Sequence, residues 1–422
     1  MIIIYLKQAW QMLRENPLVS TISVAGTALS IAMVMVVVLI YQIRLANYAP
    51  EKHRDRMLYV YATQAASKAG KGRNNGYMSA EVVKECFYTL ETPEAITAVA
   101  QSDLPVSVPS KRLYKEYKIK SVDTGFWKVF DFNFLQGEAF TEADFNSGLR
   151  KVVVSDRLAR DIFGRTDIIG ETVVMSFKPY TVCGVVKEVS NAAADAHAHV
   201  WRPYTSEESL LSSSTSYGEG IVGNFQVLLL AERRSDFEKI KAELERRTEQ
   251  YNSGKSDFNV GFLSGPLTRF DIAMGANGFG NFDRKPVLVR IGLLLGFLLL
   301  VPALNLTGVV QSSVKRRRSE IGVRKAFGAT SDRLLNQVLS ENLLTTLIGG
   351  VIGFGLSYLF LIACKSFLLP QEPLLNADML FQPVTFGLAL LITLLMNLLS
   401  AFVPAARTVR QQVTEALREI EN

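Results

Sequence analysis

Cysteine is scarce in this chain of 422 residues, which contains only three. Cys86, Cys183 and Cys364 stand far apart, and an odd number without close spacing argues against a disulfide scaffold or a structural metal site. We expect all three to be small, buried apolar side chains. The alternative is a bridge between Cys86 and Cys183, which would share one compartment.

No sequence motif for binding a nucleotide, a metal or a nucleic acid is present. The nearest approach to a phosphate-binding loop is Gly70-Lys71. It fails because Gly72 follows where serine or threonine is required, and Ala65 stands where the first glycine should be. No basic-aromatic RNA motif and no catalytic order of Ser, His and Asp or of Cys and His appears. We therefore predict that the chain is not an enzyme, has no cofactor of its own and binds no nucleic acid.

Two histidines come closest to a metal site. His197 and His199 flank Ala198, and on a strand their side chains would share one face, with Asp195 nearby. No third ligand follows at a suitable spacing. We therefore predict no metal site.

Long apolar runs are what the chain has in abundance, and hydrophobic residues make up 48% of it. Four runs are long enough to cross about 30 Å of hydrocarbon as helices. The first is too long for a cleaved signal peptide and lacks a small-x-small cleavage site, so we take it as an uncleaved span. The predicted segments are an interfacial helix at 1–18 and spans at 19–43, 287–310, 343–363 and 383–404.

The basic residues are concentrated on one side of this predicted topology. Segments 1–18, 311–342 and 405–422 together carry twelve Lys and Arg, whereas the short loop 365–382 carries one. Loops rich in Lys and Arg stay in the cytoplasm because these residues resist translocation. Both termini and the 311–342 segment are therefore predicted to be cytoplasmic.

Residues 44–285 contain no span and are predicted to form a large extracytoplasmic domain between spans one and two. Short strand-like and helical stretches occur in mixed order, which is typical of an α+β fold. The fold class is thus a membrane protein with four transmembrane α-helices and an α+β extracytoplasmic domain. The predicted strands are 58–62, 114–122, 152–155, 172–177, 180–186 and 225–231, and the predicted helices are 80–90, 155–163 and 235–250.

The basic segment between the second and third spans is the most informative stretch. Residues 320–329 read E-I-G-V-R-K-A-F-G-A, and Glu341 follows. A positive-inside loop would explain the charges but not this order. The order resembles the signature of MacB/FtsX/LolCE-type ABC transporter permeases, in which this segment forms a coupling helix that seats in a groove of the ATPase.

The extracytoplasmic part extends the resemblance. Phe126, the run 137–141 (G-E-A-F-T) and Asp144 are similar to the pattern of the MacB-like periplasmic core domain. By analogy with that family, a small inserted subdomain is expected at about 110–210. Glu138 stands where the family usually has arginine, so a salt bridge built on that arginine is not expected here.

The resemblance implies a permease subunit of a MacB-like ABC transporter in the bacterial cytoplasmic (inner) membrane, paired with an identical or paralogous permease. ATP would be bound by a separate ATPase subunit, since this sequence has no phosphate-binding loop. ATPase closure would move the extracytoplasmic domain and drive export or extrusion of a substrate by mechanotransmission. The residues implied to couple to the ATPase are Glu320, Ile321, Gly322, Arg324, Lys325, Phe327 and Gly328.

An alternative implied by the same family is an FtsX-like mechanotransmitting regulator that activates an extracytoplasmic enzyme or sensor without transport. Its outer domain would normally be much shorter.

Efflux members of the family carry a rigid helical stalk above the second span. Gly275, Gly278 and Gly280 are unfavourable in such a helix, which weakens the case for a docked periplasmic adaptor. The sequence identifies no substrate-binding residue.

Overall fold

The computed structural model describes residues 17–70, 72–109, 111–212, 220–298, 300 and 330–364, together with 387, 388, 390, 391, 394, 395 and 402. The described residues form two compact units. One is Ile43–Arg284, and the other holds the described residues before and after it. The predicted coupling residues 320–328 lie outside the described residues, as do the segments 365–382 and 405–422.

The regular elements of the described residues are numbered in chain order. The strands are β1 (Met57–Val60), β2 (Thr63–Ser67), β3 (Arg73–Met78), β4 (Ala95–Val108), β5 (Lys111–Val122), β6 (Phe134–Gly137), β7 (Lys151–Ser155), β8 (Thr172–Met175), β9 (Lys178–Val186), β10 (Val200–Pro203), β11 (Val222–Gly223), β12 (Gln226–Leu230), β13 (Phe258–Gly261) and β14 (Leu267–Thr268). The helices are α1 (Pro17–Leu45), α2 (Ala80–Val82, continued by a π-turn at Val83–Phe87), α3 (Phe126–Val129), α4 (Glu142–Asn146), α5 (Asp156–Phe163), α6 (Glu208–Leu211), α7 (Phe237–Ser253), α8 (Arg269–Ala273), α9 (284–298) and α10 (Ser331–Ala363). Short 3₁₀ turns occur at Arg54–Arg56, Tyr204–Ser206 and Arg234–Asp236.

The Ile43–Arg284 unit is built on a mixed sheet of ten strands. Its order is β14-β1-β12-β4-β5-β10-β7-β9-β6, and β8 pairs with both β4 and β9. Most neighbours are antiparallel, but β10 runs parallel to β5 and β7 runs parallel to β9. A second sheet of four strands has the order β11-β3-β2-β13. The α+β class predicted from the sequence is confirmed.

Three apolar cores are formed by the residues of this unit that the structure describes. One is rich in aromatic rings and includes Phe126, Phe130 and Trp201. A second includes Phe87, Phe225 and other residues beside α7. The third is made by residues between 104 and 200. The inserted subdomain predicted at about 110–210 stays a prediction. Strands β5, β7, β9 and β10 belong to the same large sheet as β1 and β12.

Local signals in the sequence define several elements. Helix α5 begins after Ser155, whose side chain accepts a hydrogen bond from the Leu158 amide, and ends at Gly164 with φ of 74°.

Each of the six predicted strands overlaps an observed strand. The longest strand, β4, was not predicted, because polar residues and Pro105 interrupt its apolar pattern.

In its described residues, the unit outside the domain contains two long apolar helices. The stretches Ser20–Leu45 and Leu343–Ala363 are long and apolar enough to cross a membrane. They overlap the predicted first and third spans. The predicted second and fourth spans fall partly outside the described residues, although 284–298 are helical. The four-span count therefore stays a prediction.

Helices α1 and α10 approach each other at glycines. A methyl group added at Gly353 would lie 2.5 Å from the carbonyl oxygen of Ala28, and one at Gly349 would lie 2.9 Å from Thr27. Small residues at these positions allow close contact between apolar helices, where there is no hydrophobic driving force from water. The lack of a side chain at Gly349 and Gly353 therefore allows α10 to pack closely against α1.

The structure corrects the expectation that all three cysteines are buried and agrees with the expectation that the glycine-rich segment is not helical. All three cysteines are free, so the alternative bridge between Cys86 and Cys183 is absent. Only Cys86 is buried, and the other two are partly exposed, so the expectation that all three are buried was wrong. Residues 274–283, between α8 and α9, are not helical, as their glycines predict.

Candidate functional site at the two ends of the Ile43–Arg284 unit

Five charged side chains come together where the chain enters the domain after α1. Glu51, Arg54, Lys120, Asp195 and Arg269 are each at most 9% exposed. We refer to them as the junction cluster. Buried charges are tolerated when they are paired and hydrogen-bonded, and removing one partner is strongly destabilising. The cluster lies within the Ile43–Arg284 unit, and its partners show which segments of that unit it holds together.

Arg54 holds the end of α1. Its guanidinium donates hydrogen bonds to the carbonyl oxygens of Ile43 (3.2 Å) and Ala46 (3.1 Å). Carbonyls at the end of a helix have no donor within the helix, so a buried arginine is an effective cap. Arg54 also pairs with Glu51, and its guanidinium carbon lies 3.9 Å from the centre of the Tyr48 ring.

The segment between β9 and β10 is held by the same side chains. One carboxylate oxygen of Glu51 accepts hydrogen bonds from the amides of Asp195 and Ala196, both at 3.0 Å. Arg54 donates to the carbonyl oxygen of Ala192 at 2.8 Å. Both charges of the Glu51–Arg54 pair therefore make further bonds to this segment.

Lys120 and Tyr61 complete the surroundings of Asp195. The Lys120 ammonium donates to the carbonyl oxygens of Ala194, at 2.8 Å, and of Asp195. The hydroxyl of Tyr61 donates to the Asp195 carboxylate at 2.8 Å. All of these donors converge on residues 192–196, so this segment is positioned by charge and not by regular secondary structure.

Burial and neighbouring charges shift the pKa values of the cluster. Burial would raise the pKa of Glu51, but the charges of Arg54 and Arg269 hold it below its ordinary value. Burial, together with the charge of Glu51, raises the pKa of Asp195. Burial lowers the pKa of Lys120 to about 8.

Arg269 connects α8 to the end of α1. Its Nε donates to the carbonyl oxygen of Arg44 at 2.7 Å, and its Nη1 lies 3.1 Å from the Asp195 carboxylate. Two buried arginines, Arg54 and Arg269, therefore donate hydrogen bonds to carbonyl oxygens in the last turn of α1. The last residues of α1 are thus bonded to the domain through side chains as well as through the chain.

A second ion pair lies on the same short helix. Arg284 donates two hydrogen bonds to the carboxylate of Asp271, at 2.5 and 2.7 Å. Asp271 also caps α8 by accepting from the amide and hydroxyl of Thr268. Its side chain is 3% exposed and that of Arg284 is 53% exposed. Arg44 and Arg284 lie at the two ends of the Ile43–Arg284 unit, so the five residues of α8 are bonded to both ends of this unit.

The chain matches two family models. Residues 20–247 match the MacB-like periplasmic core domain, and residues 292–413 match the FtsX-like permease C-terminal domain. The first match alone covers more than half of the chain. The chain belongs to the MacB/FtsX-type ABC transporter permeases. As a member of this family, the permease is an inner-membrane protein with a periplasmic domain.

Curated relatives are similar to the permease over part of their length. An uncharacterized ABC transporter permease, YknZ of Bacillus subtilis, is 26% identical over 269 residues, which are 63% of each chain. The macrolide export ATP-binding/permease protein MacB of Escherichia coli K12 is 25% identical over 299 residues, 70% of this chain and 42% of MacB. The chain thus spans less than two thirds of these relatives. The crystal structure of the extracellular domain of YknZ from Gram-positive bacteria aligns at 18% identity with a TM-score of 0.36, covering 49% of this chain and 99% of that domain.

The residues predicted to contact the ATPase lie outside the described residues, so their role stays a prediction. His197 lies in the core, with its Nδ1 2.9 Å from the carbonyl oxygen of Val189, and burial lowers its pKa to about 3. No group of three or more His, Cys, Asp or Glu side chains suited to a metal occurs in the part of the chain that the structure describes. The two histidine rings instead pack edge to face, 5.4 Å apart.

The junction cluster was not predicted from the sequence. Asp195 stood there only as a possible metal ligand, and Arg54, Arg269 and Arg284 follow no recognisable motif. One local signal was available: the spacing of Thr268 and Asp271 forms a capping box. The capping box marks the start of a helix, but it does not show that this helix is bonded to residues near position 44.

Proposed function

We propose that this chain is the permease subunit of a MacB-like ABC transporter in which a separate ATPase subunit hydrolyses ATP. The permease acts as a homodimer or with a paralogous permease. Hydrolysis moves the extracytoplasmic domain, and this movement drives export of a substrate by mechanotransmission. Membership of the permease family supports the transporter role. The segment 320–328, with its resemblance to the coupling signature, supports an ATPase partner.

One structural observation carries the mechanical part of the proposal: helix α8 is bonded to both ends of the domain. Arg269 holds the carbonyl of Arg44 at the end of α1, and Asp271 holds Arg284 at the start of α9. A displacement of either flanking segment would be transmitted through buried, hydrogen-bonded charges, which resist deformation because separating them exposes unpaired charge. A flexible tether would not need such bonds.

The test is ATPase coupling by the full-length permease in liposomes together with its copurified ATPase. We expect the double substitution Phe327→Ala and Arg324→Ala to abolish permease-stimulated ATP hydrolysis. The substitutions remove an apolar side chain and a charge from the coupling signature. The matched control is Val314→Ala with Arg317→Ala, which removes the same two kinds of side chain just before the signature. The proposal fails if the double variant binds and stimulates the ATPase like the wild type.

Transport and regulation predict different results in cells. A transporter requires that deleting the permease gene raises cellular sensitivity to, or retention of, an exported compound, and that an ATPase-coupling variant reproduces the effect. A regulator would instead activate an extracytoplasmic enzyme that copurifies with the permease. Loss of that activation without any export defect would overturn the transport proposal.

A further inference from the structure

A cavity of about 550 Å³ lies within the Ile43–Arg284 unit, beside α7. One wall is the face of α7 between Lys241 and Asn252, and the opposite wall is the segment 260–267. Asp271 and Arg284, the ion pair of α8, line the remaining side. A cavity of this volume can hold a small organic molecule, which would then lie beside α8.

The apolar walls of the cavity rest on the cores behind them. Phe262 is half-buried against the core that includes Phe87, and the centres of these two rings are 5.2 Å apart, edge to face. Phe282 is half-buried against the aromatic core. Asn252 joins α7 to the opposite wall through two hydrogen bonds with the main chain of Val260, at 2.7 and 2.9 Å. The walls are therefore already in place for an apolar group, as is usual in ligand sites.

The charged side chains indicate which kind of apolar molecule fits. Three acidic and two basic side chains line the cavity. Of the basic ones, Lys241 is paired with Glu238 at 2.8 Å, and the other belongs to the ion pair of α8. Among the described residues, the carboxylates of Glu245 and Glu249 have neither an ion-pair partner nor a hydrogen-bond donor. The unpaired charge of the cavity is therefore negative and lies on α7.

Glu245 and Glu249 are placed to share one cation. They are four positions apart on α7, so their side chains lie on one face of the helix, where like charges repel each other. An ammonium group between the two carboxylates would remove this repulsion and donate charge-assisted hydrogen bonds to both. An apolar group attached to the ammonium would meet Phe262 and Phe282.

We propose that this cavity binds a small organic cation, in which an ammonium group is attached to an apolar body. The ammonium lies between Glu245 and Glu249, and the apolar body packs against Phe262 and Phe282. A neutral molecule of the same shape would leave the two carboxylates without a cation. The proposal goes beyond the coupling function, because it gives the Ile43–Arg284 unit a ligand site of its own and needs no ATPase partner.

The experiment is a calorimetric titration of the full-length permease in nanodiscs of neutral phosphatidylcholine, without nucleotide. The probes are naphthylmethylamine, which is an ammonium at neutral pH, and naphthylmethanol, which has the same shape and no charge. Titrations into empty nanodiscs are subtracted, because both probes partition into lipid. The test variant is Glu245→Gln with Glu249→Gln. The matched control is Asp103→Asn with Glu116→Gln, which removes two exposed negative charges outside the cavity.

We expect the wild type to bind the amine about tenfold more tightly than the alcohol, because two partly exposed ion pairs contribute about this much. The test variant should lose this preference and the control should keep it. Added salt should weaken binding of the amine.

The melting temperature of the test variant separates a binding role from a folding role. Glu245→Gln with Glu249→Gln relieves a repulsion within α7, so the melting temperature should not fall. Equal binding of the amine to the wild type and the test variant overturns the proposal, and so does equal binding of the amine and the alcohol to the wild type. Binding of a lysine-containing peptide without binding of the amine also overturns it.

Discussion

Arg269 donates a hydrogen bond of 2.7 Å to the main-chain carbonyl of Arg44, which lies 225 positions earlier in the sequence. Arg44 belongs to the last turn of α1, where carbonyl oxygens have no donor within the helix. Two residues after Arg269, Asp271 holds Arg284 at the start of α9. Residues at the beginning and at the end of the Ile43–Arg284 unit are thus bonded to the same short helix.

Replacing Arg269 tests this attachment directly. Arg269→Met removes the bond to Arg44 and leaves Asp195 with less compensating charge, so we expect a loss of about 3 kcal/mol of stability. Amide hydrogen exchange in residues 40–47 should accelerate. Arg269→Lys keeps the charge but cannot make both bonds, so its effect should be intermediate. Unchanged exchange in Arg269→Met would show that the end of α1 is held by other groups.

Arg284 offers a comparison between a junction ion pair and an ordinary surface pair. We expect Arg284→Ala to cost about 1–2 kcal/mol, because it takes the charged partner from the nearly buried Asp271. The matched control is Arg165→Ala. Arg165 pairs with Glu171, and both are well exposed, at 57% and 43%, so the cost should be below about 0.5 kcal/mol.

The measurements are thermal melting in detergent and stimulated ATP hydrolysis in liposomes. If α8 transmits force, Arg284→Ala should reduce stimulated hydrolysis and Arg165→Ala should not. Equal effects of the two variants on hydrolysis would contradict a special role for the junction.

The contact between α1 and α10 predicts opposite responses at two glycines of one helix. Gly353→Ala would place a methyl group 2.5 Å from the Ala28 carbonyl oxygen, and we expect it to destabilise the protein by about 1–3 kcal/mol. Among the described residues, no atom lies within 4 Å of a methyl added at Gly355, so Gly355→Ala should be neutral or slightly stabilising. Melting of the two variants in the same detergent checks this, and equal behaviour would argue against the close packing of the helices.

Lys120 predicts a pH dependence. Burial lowers its pKa from 10.5 to about 8, so between these values the unfolded chain binds a proton that the folded protein has released. Stability rises with pH wherever the unfolded state binds more protons. We therefore expect the wild type to gain on the order of 1–2 kcal/mol over Lys120→Met between pH 8 and pH 10. Well below pH 8 the difference should be flat, because Lys120 is charged in both states.

The measurement is the difference in melting temperature between the wild type and Lys120→Met across this pH range, which cancels groups common to both. If this difference falls as the pH rises, burial does not lower the pKa of Lys120 in the folded protein.

Several features could be predicted from the sequence because their signals are local. Apolar runs place helices at Ser20–Leu45 and Leu343–Ala363, since length and hydropathy are properties of contiguous residues. Apolar strand-like runs locate β7, β9 and β12. Gly275 and Gly278, both at positive φ, account for the non-helical stretch before α9. The family resemblance, carried by short motifs in both parts of the chain, is local in the same sense.

The junction cluster depends instead on which distant segments the fold brings together. Arg54, Asp195 and Arg269 have no periodic relation in sequence, and only the order of strands in the large sheet places them in contact. Strand β4 has a weak apolar pattern of its own and is a strand because β5 and β12 supply its hydrogen bonds. The sequence alone determined the apolar helices and strands and the family resemblance, because hydropathy and short motifs depend only on neighbouring residues. Only tertiary structure decided which buried charges meet, because the free energy of an ion pair depends on distance in space.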